Sequence, residues 1–189
     1  NGRFIYTASI ETYEAGDEVT LDYYYTSEIA SSSYTTQRSN LGAGWSWSFP
    51  SVQTVKENYN DVNEIPAAMY YHDGKGNVLE VEYNQLSDEC SFKNYVGMDI
   101  EFDYCPGYIG ATSRIDYMVE DADLTTYYFG IYGELRRMQD IYGNVIDFYY
   151  EYKDFYGAED MPVISQITDS VGRVVDFTYT SDDEYEYIN

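Results

Sequence analysis

Apolar and polar residues alternate along most of this chain with a period of two, in short runs broken by Gly, Asn and Asp, and almost nothing carries the spacing of an amphipathic helix. Side chains on a strand point alternately to its two faces, so the pattern predicts strands with one apolar and one polar face. The runs place them at Phe4 to Thr12, Glu18 to Tyr25, Trp45 to Val55, Ala67 to His72, Val78 to Tyr83, Ser91 to Asn94 and Ile100 to Tyr104. Six more follow at Arg114 to Val119, Leu124 to Phe129, Glu134 to Gln139, Val145 to Tyr152, Val163 to Thr168 and Val174 to Thr180. Turn-forming residues separate most neighbours. The expected fold is therefore all-β, an antiparallel meander of hairpins forming a curved open sheet or strip.

Comparing the chain with itself sharpens the picture. Residues 135–150 align without gaps on residues 164–179, with six of sixteen positions identical and four more exchanging one apolar residue for another. Residues 73–83 keep the same frame, and residues 97–104 keep its second half. Gly130-Ile-Tyr-Gly133 repeats the turn with Gly in place of Asp. The shared unit is an Asp, a Gly three residues later, and an alternating strand that ends in Tyr.

Its chemistry is that of a hairpin. The Asp carboxylate can accept N–H groups from the turn it opens, and the Gly can take the positive φ that closes it. Asp73 with Gly76, Gly130 with Gly133, Asp140 with Gly143 and Asp169 with Gly172 are thus structural turn residues. Calcium ligation by these Asp lacks the dense acid spacing of a calcium loop. On the following strands, Leu79, Val81 and Tyr83 share one face, as do Ile100, Phe102 and Tyr104, Ile146, Phe148 and Tyr150, and Val175, Phe177 and Tyr179. Glu80, Glu101, Asp147 and Asp176 stand on the other. Like charges directly opposite destabilise a sheet, so these strands are expected to be non-neighbours, or to turn their acids to water or a cation.

Composition excludes several classes. The 189 residues carry 34 acidic against 10 basic side chains, a formal charge of −24 that repels phosphate, so neither nucleic acid nor an anionic membrane is an expected partner. No apolar run approaches a membrane span, so membrane insertion is not expected. A chain beginning at Asn1 without a basic and apolar leader reads as a fragment or a mature form. Aromatic residues make up 19% of it, 25 of them Tyr, which predicts a folded chain despite the charge.

Candidate chemistry is sparse. Catalysis by a Ser-His-Asp or Cys-His set would have to use His72, the one histidine, which reads as an ordinary surface residue beside Asp73. With so many acids, some carboxylate pair always meets the spacing of a glycosidase, which makes that signal uninformative. No catalytic residue, metal or cofactor is assigned. Cys90 and Cys105 lack zinc-site spacing and are either two free thiols or one disulfide; pairing Phe92 to Asn94 with Glu101 to Asp103 as a hairpin would set them opposite each other. Trp45 and Trp47 share a strand face after Gly42 and Gly44, and either anchor the core or stack on sugar rings. The pairs Tyr70-Tyr71, Tyr127-Tyr128 and Tyr149-Tyr150 and the run Tyr23-Tyr24-Tyr25 place Tyr on both faces of their strands, which makes Tyr71, Tyr128 and Tyr149 candidate ligand-stacking residues.

The Asp-x-x-Gly-[Asn/Arg]-Val turn with its strand ending in Tyr, best in Asp169-Ser-Val-Gly-Arg-Val-Val-Asp-Phe-Thr-Tyr179 and next in Asp73-Gly-Lys-Gly-Asn-Val78, resembles the YD repeat of the RHS and teneurin-like proteins. Val19-Thr-Leu-Asp-Tyr-Tyr-Tyr-Thr-Ser27 and Leu41-Gly-Ala-Gly-Trp-Ser-Trp-Ser-Phe49 are similar to the segment that precedes the repeats in bacterial members. The Tyr-Asp dipeptide itself is absent, and residues 55–66 and 105–123 fit no repeat. The resemblance implies a pre-repeat segment over residues 1–60 and divergent repeats over 61–189 (73–83, 97–104, 130–150 and 164–179). It further implies a non-enzymatic part of a secreted or cell-surface bacterial protein whose β-shell encloses or presents a C-terminal effector. The expected partners are the remainder of the same polypeptide and, in an alternative reading as an adhesion module, surface glycans. Exposed strand edges predict self-association of the isolated chain. An acidic inhibitor of a basic partner would explain the charge but not the repeats.

Overall fold

The computed structural model describes residues 5–14, 17–26, 45–58, 61, 63–93, 95, 97, 99–109, 113–155, 158–181 and 186–188. Regular structure among them is entirely β. The strands are β1 (Ile5–Glu14), β2 (Asp17–Thr26), β3 (Trp45–Trp47), β4 (Ser51–Val55), β5 (Ala68–His72), β6 (Val78–Asn84), β7 (Glu89–Phe92) and β8 (Glu101–Ile109). They continue with β9 (Ser113–Glu120), β10 (Thr126–Phe129), β11 (Leu135–Gln139), β12 (Val145–Phe155), β13 (Ala158–Asp169), β14 (Val174–Asp176), β15 (Tyr179–Ser181) and β16 (Glu186–Ile188). The hydrogen-bonded orders are β1-β2-β3, β4-β5-β6-β7, β14 through β8 in unbroken sequence, and β15-β16. Every neighbour in a sheet is a neighbour in the chain, and none of the sheets closes on itself. The expected all-β antiparallel meander is therefore the observed fold.

Four expectations about elements are corrected. Val174 to Thr180 is not one strand: β14 ends the seven-stranded sheet, and β15 pairs with β16 in another. Trp45 to Val55 is two strands in two sheets, β3 and β4, parted at Ser48–Pro50; proline has no N–H for a ladder and fits poorly inside a strand. The hairpin expected of Phe92 to Asn94 with Glu101 to Asp103 does not form between the described strands, because β7 is the last strand of one sheet and β8 the first of the next. Leu124 and Thr125 belong to a turn, and their strand starts at Thr126.

The chain divides into two compact units, one of residues 1–49, 150–166 and 176–189, the other of residues 50–149 and 167–175. In the first, β1 pairs with β2 along its whole length, and Tyr23 and Tyr25 of β2 stand opposite Trp47 and Trp45 of β3. Trp47 is buried, stacked on Phe49 and met edge-on by Phe177, each at 5.7 Å between ring centroids.

The second unit holds the larger described core. Val52 and Thr54 of β4, Met69 and Tyr71 of β5 and Val81 of β6 are buried at alternate positions, as the period of two requires. Phe102, Tyr117, Val119 and Phe129 are buried on β8, β9 and β10. Tyr71 joins the two sets, with its ring 6.5 Å from Phe102 and 6.3 Å from Phe129, while Phe92 lies 6.1 Å from Phe102. Offset and edge-to-face aromatic pairs of this kind add about 0.5–1.5 kcal/mol each beyond burial. Of the apolar strand faces read from the sequence, that of β8 enters this aromatic layer through Phe102.

Candidate functional site

Turns of one design recur through the second unit. In residues 73–77, 140–144 and 169–173 the first Asp donates its N–H to the carbonyl of the fifth residue, at 3.0–3.2 Å. Its Oδ1 accepts N–H bonds from the third and fifth residues, at 2.8–3.1 Å, and the fourth residue is a Gly with φ of 99°, 84° or 86°. The second carboxylate oxygen is occupied by the fifth side chain, Asn77, Asn144 or Arg173. These bonds favour the ionised acid. The Asn144 side chain and turn N–H groups lower the Asp140 pKa; burial pushes Asp169 up, but Arg173 and the turn N–H groups outweigh it and leave it lowered.

Two further copies depart from this chemistry. In residues 121–125, Asp121 accepts from Asp123 and Thr125 and from the Tyr127 hydroxyl, but the fourth position is Leu124 at φ 58°. A branched residue in the left-handed region is strained by about 1–2 kcal/mol, and Leu124 is half exposed, so it gains little burial in return. Leu124→Gly is therefore expected to raise stability by about 1 kcal/mol in urea denaturation; an unchanged or lower midpoint would contradict this.

In residues 130–134 the first residue is Gly130, and its missing carboxylate is supplied from the fifth position. Glu134 folds back, accepts the Tyr132 N–H at 3.0 Å, and binds Arg136 through Oε1. A Cβ on Gly130 would lie 2.6 Å from Glu134 Cδ, so the bare glycine makes room for the displaced acid. Burial pushes the Glu134 pKa up, and Arg136 opposes it. The next glycine, Gly133 at φ 77°, lies against the Val52 backbone, whose N–H donates to the Gly133 carbonyl at 2.9 Å. Val145 likewise accepts the Ser170 N–H at 2.9 Å, which ties the 169–173 turn to the strand after the 140–144 turn.

The acids on the polar strand faces have partners. Arg137 stands opposite Asp147 and holds it with two bonds, Nε to Oδ1 at 2.6 Å and an NH2 group to Oδ2 at 2.9 Å. Lys93 binds Glu80 at 2.9 Å, and Gln166 donates to Asp176 at 2.6 Å. Glu101, by contrast, lies directly opposite Glu120. It is exposed, so water screens an arrangement the pairing rule disfavours.

The candidate ligand-stacking residues separate in the structure. Trp47 and Tyr71 are 8% and 3% exposed, so neither offers a ring to a ligand: Trp47 anchors the core, the first of its two readings, and Tyr71 is corrected from a stacking candidate to a core residue. The side chain of Trp45 lies outside the described residues, as do Gly42, Gly44 and the acidic run Asp182-Asp183-Glu184. Tyr128 and Tyr149 come together: Tyr128 stands opposite Arg137, Arg137 opposite Asp147, and Tyr149 follows on the Asp147 face. Tyr149 is 45% exposed and Tyr128 partly so. A strip of two phenol rings around a bidentate Arg–Asp pair thus crosses β10, β11 and β12.

The remaining candidates are placed as follows. His72 Nε2 lies 3.2 Å from Gln53 Oε1, a contact without a nucleophile. Cys90 and Cys105 are free thiols, both half-buried. Among the described residues no group of three His, Cys, Asp or Glu is set to hold a metal ion, and no helix is long and apolar enough to cross a membrane.

The sequence reading missed a buried ionic cluster. Lys56 Nζ lies 3.8 Å from Asp116 Oδ2, both side chains are wholly buried, and Arg114 Nε donates to Asp116 Oδ1 at 2.8 Å. Burial drives the Lys56 pKa down, with Asp116 opposing it. The alternation of β4 carried a signal, since Val52, Thr54 and Lys56 follow at steps of two.

No family model and no curated protein matches the chain. Its fold is similar to that of the N-terminal domain of effector protein SpvB from Salmonella typhimurium strain LT2, with a TM-score of 0.53 and 11% identity, covering 96% of this chain and 69% of that one. At that identity the likeness establishes a shared all-β fold.

Proposed function

We propose that this chain is a non-enzymatic structural segment of a larger secreted or cell-surface protein of the YD-repeat type, in which its hairpins continue into further repeats that build a β-shell around a C-terminal effector. The observation that carries this reading is the recurrence of one turn design across residues 73–77, 121–125, 130–134, 140–144 and 169–173. A repeat that cannot bury its own faces gains stability by adding neighbours, which gives such turns a reason to recur. The shared fold serves, in SpvB, as one domain of an effector protein. Electron microscopy of the polypeptide that carries this chain tests the proposal. A shell wall that includes these hairpins is expected; a parent without further repeats, or a chain that proteolysis separates as a free-standing domain, would overturn it.

A second reading, saccharide binding, rests on the strip of Tyr128, Arg137, Asp147 and Tyr149. Phenol rings stack on the C–H faces of sugars while a planar ion pair offers hydrogen bonds to hydroxyls. Glycan-array binding that falls at least about tenfold in Tyr128→Ala and Tyr149→Ala variants supports it, since a lost aromatic contact is worth about 1–1.5 kcal/mol. Absence of binding at millimolar sugar sets it aside.

A further inference from the structure

We infer that Cys90 and Cys105 form a redox pair that closes to an intramolecular disulfide and thereby staples β7, the last strand of one sheet, to β8, the first of the next. The two strands are not paired by a ladder, yet they run side by side. Tyr83, the cross-strand partner of Cys90, packs its ring 5.2 Å from Tyr104, the residue before Cys105. Two residues further along β7, Phe92 packs 6.1 Å from Phe102. The Tyr104 backbone lies near enough to Cys90 to favour its thiolate, and Cys90 acts electrostatically on Cys105, which places the two sulfurs in one neighbourhood. Consecutive Cα atoms are 3.8 Å apart, and a disulfide tolerates Cα separations of roughly 4.4–6.8 Å, so closure asks for a local adjustment only.

The fold supplies that adjustment at the right place. The register of β8 against β9 slips between Tyr104 and Gly107, where Cys105 and Pro106 together face the single residue Asp116. A bulge leaves its extra residues out of the ladder, so Cys105 can shift without breaking a strand pair. The chain holds no other cysteine, so neither thiol has a competing partner within it. In the reduced form the junction of the two sheets rests on aromatic packing; in the oxidised form it is covalent. The redox state of the surroundings would then set how firmly the sheets are joined, whichever larger protein the chain belongs to.

Glutathione disulfide is a suitable oxidant. One cysteine thiolate attacks a glutathione sulfur and expels a glutathione thiolate; the second then attacks the protein sulfur of the mixed disulfide and expels the other. The protein loses two protons and two electrons, and two glutathione thiols are formed. Burial pushes both thiols up to about 11, with the Asp88, Asp103 and Asp116 carboxylates adding to the effect. Closure is therefore slow at neutral pH, and should accelerate roughly tenfold per pH unit up to that range.

The test is equilibration of the full chain with glutathione buffers of increasing oxidising strength, followed by alkylation, intact mass and peptide mapping. The expected result is loss of both alkylatable thiols together, a mass about 2 Da lower, a linked peptide carrying Cys90 and Cys105, and a melting temperature about 5–10 °C higher that reduction reverses. Cys90→Ser should leave Cys105 as a stable glutathione adduct. Stable adducts on both cysteines of the unaltered chain, intermolecular dimers, or two thiols that persist under oxidising conditions at pH 9 would overturn the inference.

Discussion

Gly133→Ala is expected to destabilise the protein by about 3–5 kcal/mol, while Gly143→Ala, the same substitution at the same turn position, should cost only about 1 kcal/mol. Both glycines have a positive φ, 77° and 84°, so both substitutions force an alanine into the left-handed region. Their surroundings differ. A Cβ on Gly143 meets nothing within 4 Å, whereas one on Gly133 would lie 2.6 Å from the Val52 carbonyl carbon and closer still to its oxygen. Backbone cannot rotate away as a side-chain end can. Relief requires β4 to withdraw, which breaks the buried Val52 N–H bond to the Gly133 carbonyl and opens the layer that Val52 and Tyr71 fill. Urea denaturation of both variants measures the contrast. Equal losses would mean that the turn's own conformation, and not its seat against β4, sets the stability at residue 133.

The turns were legible because their chemistry is local: an Asp and a Gly three residues apart specify the hydrogen bonds of residues 73–77, 140–144 and 169–173 almost completely. The 121–125 turn escaped because Leu124 holds the left-handed position without glycine, and only Asp121 hints at it. The strand split at Ser48–Pro50 was available from Pro50 itself. Partners between sheets are a different matter. Cys90 and Cys105 looked like hairpin neighbours from spacing, and the chain brings their strands together by packing Tyr83 edge-on against Tyr104 across a change of sheet. Tyr128 and Tyr149 were each visible as tyrosines on a strand, but their meeting around Arg137 and Asp147 depends on the register of β10, β11 and β12. A period of two identifies faces; it does not say which faces meet.

Asp116→Ala is expected to destabilise the protein by about 3–5 kcal/mol, and the double variant Lys56→Met/Asp116→Leu to recover most of that loss. The single substitution strands an ammonium whose nearest opposite charge was 3.8 Å away and whose side chain has no exposed surface. The double substitution replaces both charges with apolar groups, and Arg114, which is 26% exposed, can turn its guanidinium to water. The pH dependence supplies an independent check. Burial lowers the Lys56 pKa from its usual 10.5, so between the folded and unfolded values the unfolded chain binds more protons, and the Lys56 contribution to stability rises with pH across that window. Above about pH 10 the buried hydroxyls oppose it: desolvation raises the Tyr71 and Tyr127 pKa values, the folded state holds protons that the unfolded state has released, and stability falls. Those tyrosines are common to the unaltered protein and to Lys56→Met, so their effect cancels in the difference between the two. That difference, followed by urea denaturation from pH 7 to 10, should shift in favour of the unaltered protein as pH rises; a flat difference would mean that Lys56 is as well solvated in the folded chain as in the unfolded one.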